Sequence, residues 1–278
     1  MELCKINIAL MSAFSAAAGF VLSTLQMKVQ IIPMITGVFV LACGACALNQ
    51  YQDRQIDARM SRTCNRPIPS GRINARSARN FSVLLICSGL LLLLLRESPP
   101  VFGLGMMAVL WYNGLYPFLK RKTAFAVIPG ALIGVIPVAI GWVSGGGSLN
   151  DHALLPLCFF FFMWQVPHFW LILFSHAADY KQTDIPALVK IFNREQLRRV
   201  VIVWMTAVAV SIFFIPLFGI MLSDIAICLL GVSAAWIFWR AKQDLQGIDL
   251  RTTCSNAFKH MNMNTLFVMF VLIADKLL

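Results

Sequence analysis

Nine long apolar runs, separated by short basic segments, constrain this chain more than any other feature. They lie near residues 6–27, 31–48, 78–95, 100–119, 124–143, 153–174, 200–220, 222–239 and 257–275. Each is close to the roughly 20 residues that an α-helix needs to cross a hydrocarbon core. A backbone in lipid must satisfy its own N–H and C=O groups, so only helices and closed barrels can span it. The runs are continuous rather than alternating, which predicts helices over strands. The expected fold is an all-α polytopic membrane protein of about nine transmembrane helices. Composition agrees: of 278 residues 59% are hydrophobic and 13% charged, against about 25% charged in soluble domains. No polar or Pro-rich linker interrupts the pattern, so residues 1–278 are expected to form one transmembrane domain.

The net charge of +11 would point to nucleic acid in a soluble protein, but its distribution points elsewhere. Of 23 Lys and Arg, seven lie between 54 and 79, three at 120–122, five at 181–199 and four at 240–259. With Lys5, these put 20 on one side of a nine-span arrangement and leave Lys28, Arg96 and Lys276 for the other. Cytoplasmic loops are rich in Lys and Arg, so the N-terminus and the basic loops are expected in the cytoplasm, in the inner membrane of a cell. A polybasic face also suits anionic membrane lipid. No nucleic-acid partner is expected. The first run, with Ala16, Ala17 and Ala18, could be taken for a cleaved signal peptide, but it is long for that and the charge count needs it retained. Cys43 and Cys46 have CxxC spacing, yet no second pair completes a four-ligand site. Beside Gly44 and Ala45 they predict a helix-packing face. The outer segment SGGGSLND, 144–151, is expected to be a flexible turn without chemistry.

The segment NQYQDRQIDARMSRTCNRPIPSGR, 49–72, is different in kind. On a helix Asn49, Asp53 and Asp57 each sit about 40° around from the last and line one face over about 12 Å. Stacked carboxylates at a membrane boundary are costly unless something positive lies between them. Carboxylate and amide oxygens suit Mg²⁺, which usually shares its shell with substrate phosphate. Arg54, Arg59, Arg62 and Arg66 follow, and guanidinium forks match phosphate oxygens. Pro67 and Pro69 predict a shaped loop rather than more helix. The plainer alternative is a topology-setting basic loop with incidental acids.

A second acidic segment weighs against that alternative. Asp179 is the stronger ligand candidate there; Asp184, five residues on, would not share a helical face with it. Lys181 is close enough in sequence to face a phosphate. Both acidic segments follow even-numbered spans, which suggests two related helical units. In YPFLKRK, Tyr116 stands one turn before Lys120, placing a ring for a carbocation beside an ammonium for a diphosphate. An interfacial Tyr with topology-setting bases is the alternative. An isoprenoid diphosphate fits such parts: its tail belongs in lipid, and leaving diphosphate needs metal and guanidinium. The aromatic run FFFFMWQVPHFW, 159–170, could wall the allylic cation.

With these residues in view, the chain resembles the UbiA superfamily of intramembrane prenyltransferases. NQYQDRQID matches that family's NxxxDxxxD motif, and YPFLK is similar to its YxxxK element. DRQIDARMSRTCNRPIPSGRI, LKRKT, WQVPHFW and DYKQTDIPAL look like its protohaem IX farnesyltransferase (haem O synthase) branch, over residues 37 to 200. The resemblance implies nine transmembrane helices around a central cavity, Mg²⁺, farnesyl diphosphate as donor and a haem B vinyl group as acceptor. It implies metal and diphosphate binding by Asn49, Asp53, Asp57 and Asp179, with Arg62, Arg66 and Lys120 near the diphosphate. It puts His168 toward haem; His176 is a weaker candidate. The N-terminus is short and lacks the TKP-like opening of many relatives, which removes a basic contact with the diphosphate. The second motif lacks the usual multi-Asp pattern, and PALVKIF lacks a second Pro. Two alternatives remain: an aromatic polyprenyltransferase acting on 4-hydroxybenzoate or a related quinone precursor, and a cation-binding membrane transporter. No motif identifies a partner that would receive the haem.

Overall fold

The computed structural model describes residues 2–24, 29, 31–220, 222–247 and 249–277. Lys28 and the end of the first apolar run lie outside them. Among the described residues the regular structure is helical throughout. Eight helices are long and apolar enough to cross a membrane. They are α1 (Ile6–Thr24), α2 (Ile31–Asp57), α3 (Ala75–Arg96), α5 (Val127–Ser144), α6 (Leu154–Ser175), α7 (Arg194–Leu217), α8 (Asp224–Gln243) and α9 (Leu250–Leu277). The remaining apolar run forms α4, residues 99–119, which changes register twice. It is α-helical over Pro99–Val109, π-helical over Leu110–Leu115 and α-helical again over Tyr116–Leu119. The expected number of about nine rods is therefore close to what forms; the fourth is not one uninterrupted α-helix.

Helices meet where their side chains are small. A β-carbon on Gly141 of α5 would stand 1.8 Å from the Ala16 carbonyl oxygen of α1, and one on Gly19 2.2 Å from that of Val138. Close backbone approach drives association in lipid, where apolar surface alone gives no preference for a neighbour. The same holds for α2 on α3: a β-carbon on Gly44 would lie 2.7 Å from the Ile86 nitrogen. Cys43 and Cys46 flank that contact, buried and unbridged. One apolar core joins α1–α5, with Phe20, Met34, Leu93 and Ile140 fully enclosed. A second joins α5–α9, centred on Phe160, Trp170, Met205 and Ile212. The outer faces of α3, α7 and α8 leave Leu84, Val203 and Ile225 exposed, as a lipid-facing surface requires.

The two ends of the bundle differ. At one end Gln50 donates to the Glu2 and Leu3 carbonyls, Arg59 pairs with Asp184 at 3.1 Å, and Arg194 donates to the Gly247 carbonyl at 2.5 Å. The N-terminus and the four basic segments thus share it. At the other end Ser144 donates to Glu97 and Ser223 to Asp275. The glycine-rich segment at that end is more ordered than its composition suggests. Asp151 accepts from the Trp142 indole at 2.8 Å and the Ser148 N–H at 2.7 Å, while Gly146 turns the chain at φ 102°.

Candidate active site

Helix α2 outlasts its apolar run and continues to Asp57, so Asn49, Asp53 and Asp57 share one face. All three are buried. The Asn49 amide donates to Asp53 Oδ2 at 3.1 Å. Each carboxylate has a base of its own. Lys120 Nζ spans both oxygens of Asp53, and Arg66 Nη1 meets Asp57 Oδ2 at 2.7 Å. Burial makes an unpaired charge expensive, and these pairs supply the compensation.

The loop after α2 is folded back by its own bonds. Thr63 Oγ1 donates to the Asp57 carbonyl at 2.9 Å, and the Ile73 N–H to the Pro67 carbonyl at 2.9 Å. Ile68 anchors the turn in a small cluster with Leu3, Ala47 and Ala78, so Arg66 is brought back over the helix end. The other arginines of the segment separate. Arg54 donates to the Tyr51 carbonyl on its own helix, and Arg59 makes its exposed pair with Asp184.

Asp179 comes to the same loop from the segment after α6. Its carboxylate accepts from Ser61 Oγ at 2.6 Å and from the Arg62 N–H at 3.2 Å. Arg62 therefore engages the second acidic segment through its backbone, while its side chain is exposed. The Ser61 hydroxyl holds the Asp179 carboxyl below its ordinary range, against the opposing effect of desolvation. A cleft of about 460 Å³ opens here, lined by Ser61, Arg62, His176, Asp179 and Arg251 among others. His176 Nδ1 meets the Ile172 carbonyl at 3.0 Å, closing the last turn of α6. The Lys181 side chain is exposed and makes no hydrogen bond or ion pair among the described residues, and Asp184 is a surface residue.

Tyr116 and Lys120 follow the π-turn of α4. That turn is tied to α2 by Asn113, whose amide donates to the Ala45 carbonyl at 3.0 Å, and by Gln52, which donates to the Asn113 carbonyl at 2.7 Å. A π-turn adds a residue to the helical turn and re-aims what comes after it. Tyr116 stacks on Tyr112 at 6.4 Å and on Phe169 of α6 at 6.4 Å, with Lys120 Nζ 5.7 Å from its ring centre. Of the aromatic run on α6, Phe160, Phe161 and Trp170 are buried in the core. Phe169 and His168 continue the half-buried wall beside Tyr116; their rings are 5.8 Å apart.

Two residues join this site that the sequence reading left out. Lys5, just before α1, feels the charges of Asp57 and Asp53; burial lowers its pKa and those carboxylates oppose the fall. Its φ of 46° is the only positive value among the described non-glycine residues. Tyr180, next to Asp179, has its phenol pKa raised by burial, with Arg62, Arg66, Asp53 and Asp57 all acting on it. A lone Lys and a Tyr beside a basic loop carry no sequence signal for this. Among the described residues no three His, Cys, Asp or Glu side chains cluster closely enough to hold a metal ion as they stand.

Comparison with known proteins adds to this geometry. The family described as the UbiA prenyltransferase family matches residues 8–266. A protoheme IX farnesyltransferase of Geobacter sulfurreducens is 36% identical over 221 residues, 80% of this chain and 82% of that protein. One of Oleidesulfovibrio alaskensis is 29% identical over 99% of this chain and 95% of its own length. Among solved structures, a digeranylgeranylglyceryl phosphate synthase superposes with a TM-score of 0.75 at 17% identity, covering 99% of this chain and 96% of its own. A UbiA homologue from Archaeoglobus fulgidus, bound to GPP and Mg²⁺, gives 0.73 at 14% identity, with 98% of each chain covered.

Proposed function

The chain belongs to the UbiA prenyltransferase family, and on that premise we propose that it transfers a farnesyl group from farnesyl diphosphate to a vinyl carbon of haem B, giving haem O. It is a multi-pass membrane prenyltransferase. The observation that carries the finer reading is the gathering of Asp53, Asp57 and Asp179, with Lys120 and Arg66, at one end of the bundle from three separate segments. The relatives named as protoheme IX farnesyltransferases support the choice of acceptor. The excess of Lys and Arg at the same end supports a cytoplasmic site in the inner membrane.

The donor set fits Mg²⁺: Asn49, Asp53, Asp57 and Asp179 offer hard oxygens, and Asp53 and Asp57 are each paired with a single base. Bound there, Mg²⁺ would neutralise charge developing on the departing diphosphate. When the diphosphate enters, Lys120 and Arg66 leave their carboxylates for phosphate oxygens, an exchange that keeps every charge paired. Lys5 and the exposed Arg62 side chain add positive charge around the head group. The C1–O bond breaks with its electrons going to diphosphate, and the faces of Tyr116 and Phe169 stabilise the allylic cation. The haem vinyl carbon bonds to C1. Water then captures the cation beside the porphyrin and releases a proton, leaving a hydroxyethylfarnesyl group. His168, on the same aromatic wall, faces the haem.

Substituting Asp53→Asn or Asp57→Asn tests the reading. Loss of Mg²⁺-dependent turnover is expected in both, and full turnover in either would refute it. Supplying haem B and 4-hydroxybenzoate separately with farnesyl diphosphate, and weighing the products, decides the acceptor. Prenylated benzoate without prenylated haem would move the assignment to the quinone-precursor branch. A transporter would place its carboxylates deep in the helices, whereas Asp57 ends α2 and Asp179 follows α6.

A further inference from the structure

A polar contact inside the second half of the bundle bears on how the acceptor is held. On α6, Trp164 and His168 are one helical turn apart, and both reach Asn262 of α9. The Trp164 indole Nε1 is 3.2 Å from Asn262 Oδ1, and His168 Nδ1 is 2.9 Å from the same oxygen. The His168 ring lies between those of Trp164 and Phe258, each 4.7 Å away. Indole N–H can only donate, so it requires that the Asn262 amide present its oxygen, not its nitrogen. An oxygen accepting from Trp164 can meet His168 only if Nδ1 also carries a hydrogen. The neutral imidazole then has one tautomer, with a bare lone pair on Nε2. Nε2 has no hydrogen-bond partner among the described residues, and His168 is only half-buried.

We propose that Asn262, oriented by Trp164, is a positioning residue that fixes His168 as the Nδ1–H tautomer and so presents Nε2 as an axial ligand to the iron of a haem acceptor. The inference rests on the proposed acceptor and deepens it. Metal-binding histidines commonly donate their second N–H to an oxygen, which fixes the ring and raises its basicity. Here the oxygen belongs to a neutral amide, so no extra charge is buried in the bundle. The placement suits the reaction. From His168 the ring contacts run through Phe169 to Tyr116, beside which Lys120 holds Asp53. Iron held at His168 would set the porphyrin edge toward the aromatic wall where the allylic cation forms.

The test is titration of purified full-length protein in lipid nanodiscs with ferric haem B, followed by its Soret band and electron paramagnetic resonance. Wild type is expected to give a histidine-ligated spectrum, and His168→Ala to lose it, with partial return on adding imidazole. Asn262→Leu should weaken haem binding about 10–100-fold and alter the spin state. Asn262→Asp keeps the accepting oxygen and should retain the ligated spectrum; Trp164→Phe, which frees the amide to turn over, should fall between. Farnesyl diphosphate binding without haem should be unchanged in all four, which separates loss of ligation from loss of fold. A wild-type spectrum and affinity in Asn262→Leu would overturn the positioning role while leaving the haem assignment intact. Wild-type protein that binds no haem but prenylates an aromatic acid would overturn both.

Discussion

At the scale of single residues, the candidate site is organised by two enclosed ion pairs, Lys120 with Asp53 and Arg66 with Asp57. Lys120 and Asp53 are both largely enclosed, with side chains 14% and 12% exposed. Removing one partner of such a pair strands a buried charge, at a cost of about 3–5 kcal/mol. Lys120→Met is therefore expected to lower thermal stability in detergent as well as turnover. Adding Asp53→Asn to it should recover much of the stability and none of the activity. Scanning fluorimetry of the single and double variants measures the difference. Asp179 gives a pH dependence. Its carboxyl is held below its ordinary value by Ser61, then by the Arg62 N–H, so it binds protons less readily folded than unfolded. The stabilisation is complete above the unfolded value of about 3.9 and fades as pH falls through the lower folded value. In metal-free protein the contact between the two acidic segments should hold at pH 5 and weaken only in stronger acid. Ser61→Ala should move the loss upward. Hydrogen exchange at the Arg62 amide reports it, and an unchanged midpoint in Ser61→Ala would count against the assignment.

At the scale of elements, the π-turn of α4 and the glycine contacts of α1 and α5 carry the geometry. Inserting one alanine between Leu115 and Tyr116, just past the π-turn, should swing Tyr116 and Lys120 by about 100° around α4. Gly114 and Leu115 are exposed, and a β-carbon at Gly114 would touch nothing, so an alanine added beside them strips no packing. Turnover should fall about 100-fold or more, as misplaced catalytic groups do, with helix content by circular dichroism retained. Gly141→Val is a control of the opposite kind. Its side chain would drive into the Ala16 carbonyl and prise α1 from α5, at a cost of about 1–3 kcal/mol or more. Stability should drop first, and activity only in proportion to the protein that unfolds.

At the scale of the whole molecule, the positive charge and the candidate site lie at one end of the bundle. The N-terminus and four basic segments converge there, and the opposite end is closed by Glu97, Asp151 and Asp275 contacts. If the basic end is cytoplasmic, a cysteine introduced at Gly146 should react with an impermeant maleimide in spheroplasts, in a chain whose own eight cysteines are replaced. One at Arg121 should react only after the membrane is opened. The reverse pattern would invert the topology.

The apolar runs by themselves determined an all-helical membrane fold, because unpaired backbone in lipid leaves a chain no cheaper arrangement. Asn49, Asp53 and Asp57 were legible because four-residue spacing is a helical face wherever the helix continues, and α2 continues to Asp57. The partners of these residues were not legible. Nothing in the order of residues says that Lys120 rather than Arg54 meets Asp53, or that Arg62 reaches Asp179 through its backbone. Nor does it show that Asn262 stands against Trp164 and His168. Those contacts cross between helices far apart in sequence. Which side chains meet there is fixed by how closely small residues let the helices approach and by where a π-turn re-aims one of them. Periodicity along a single helix cannot encode either.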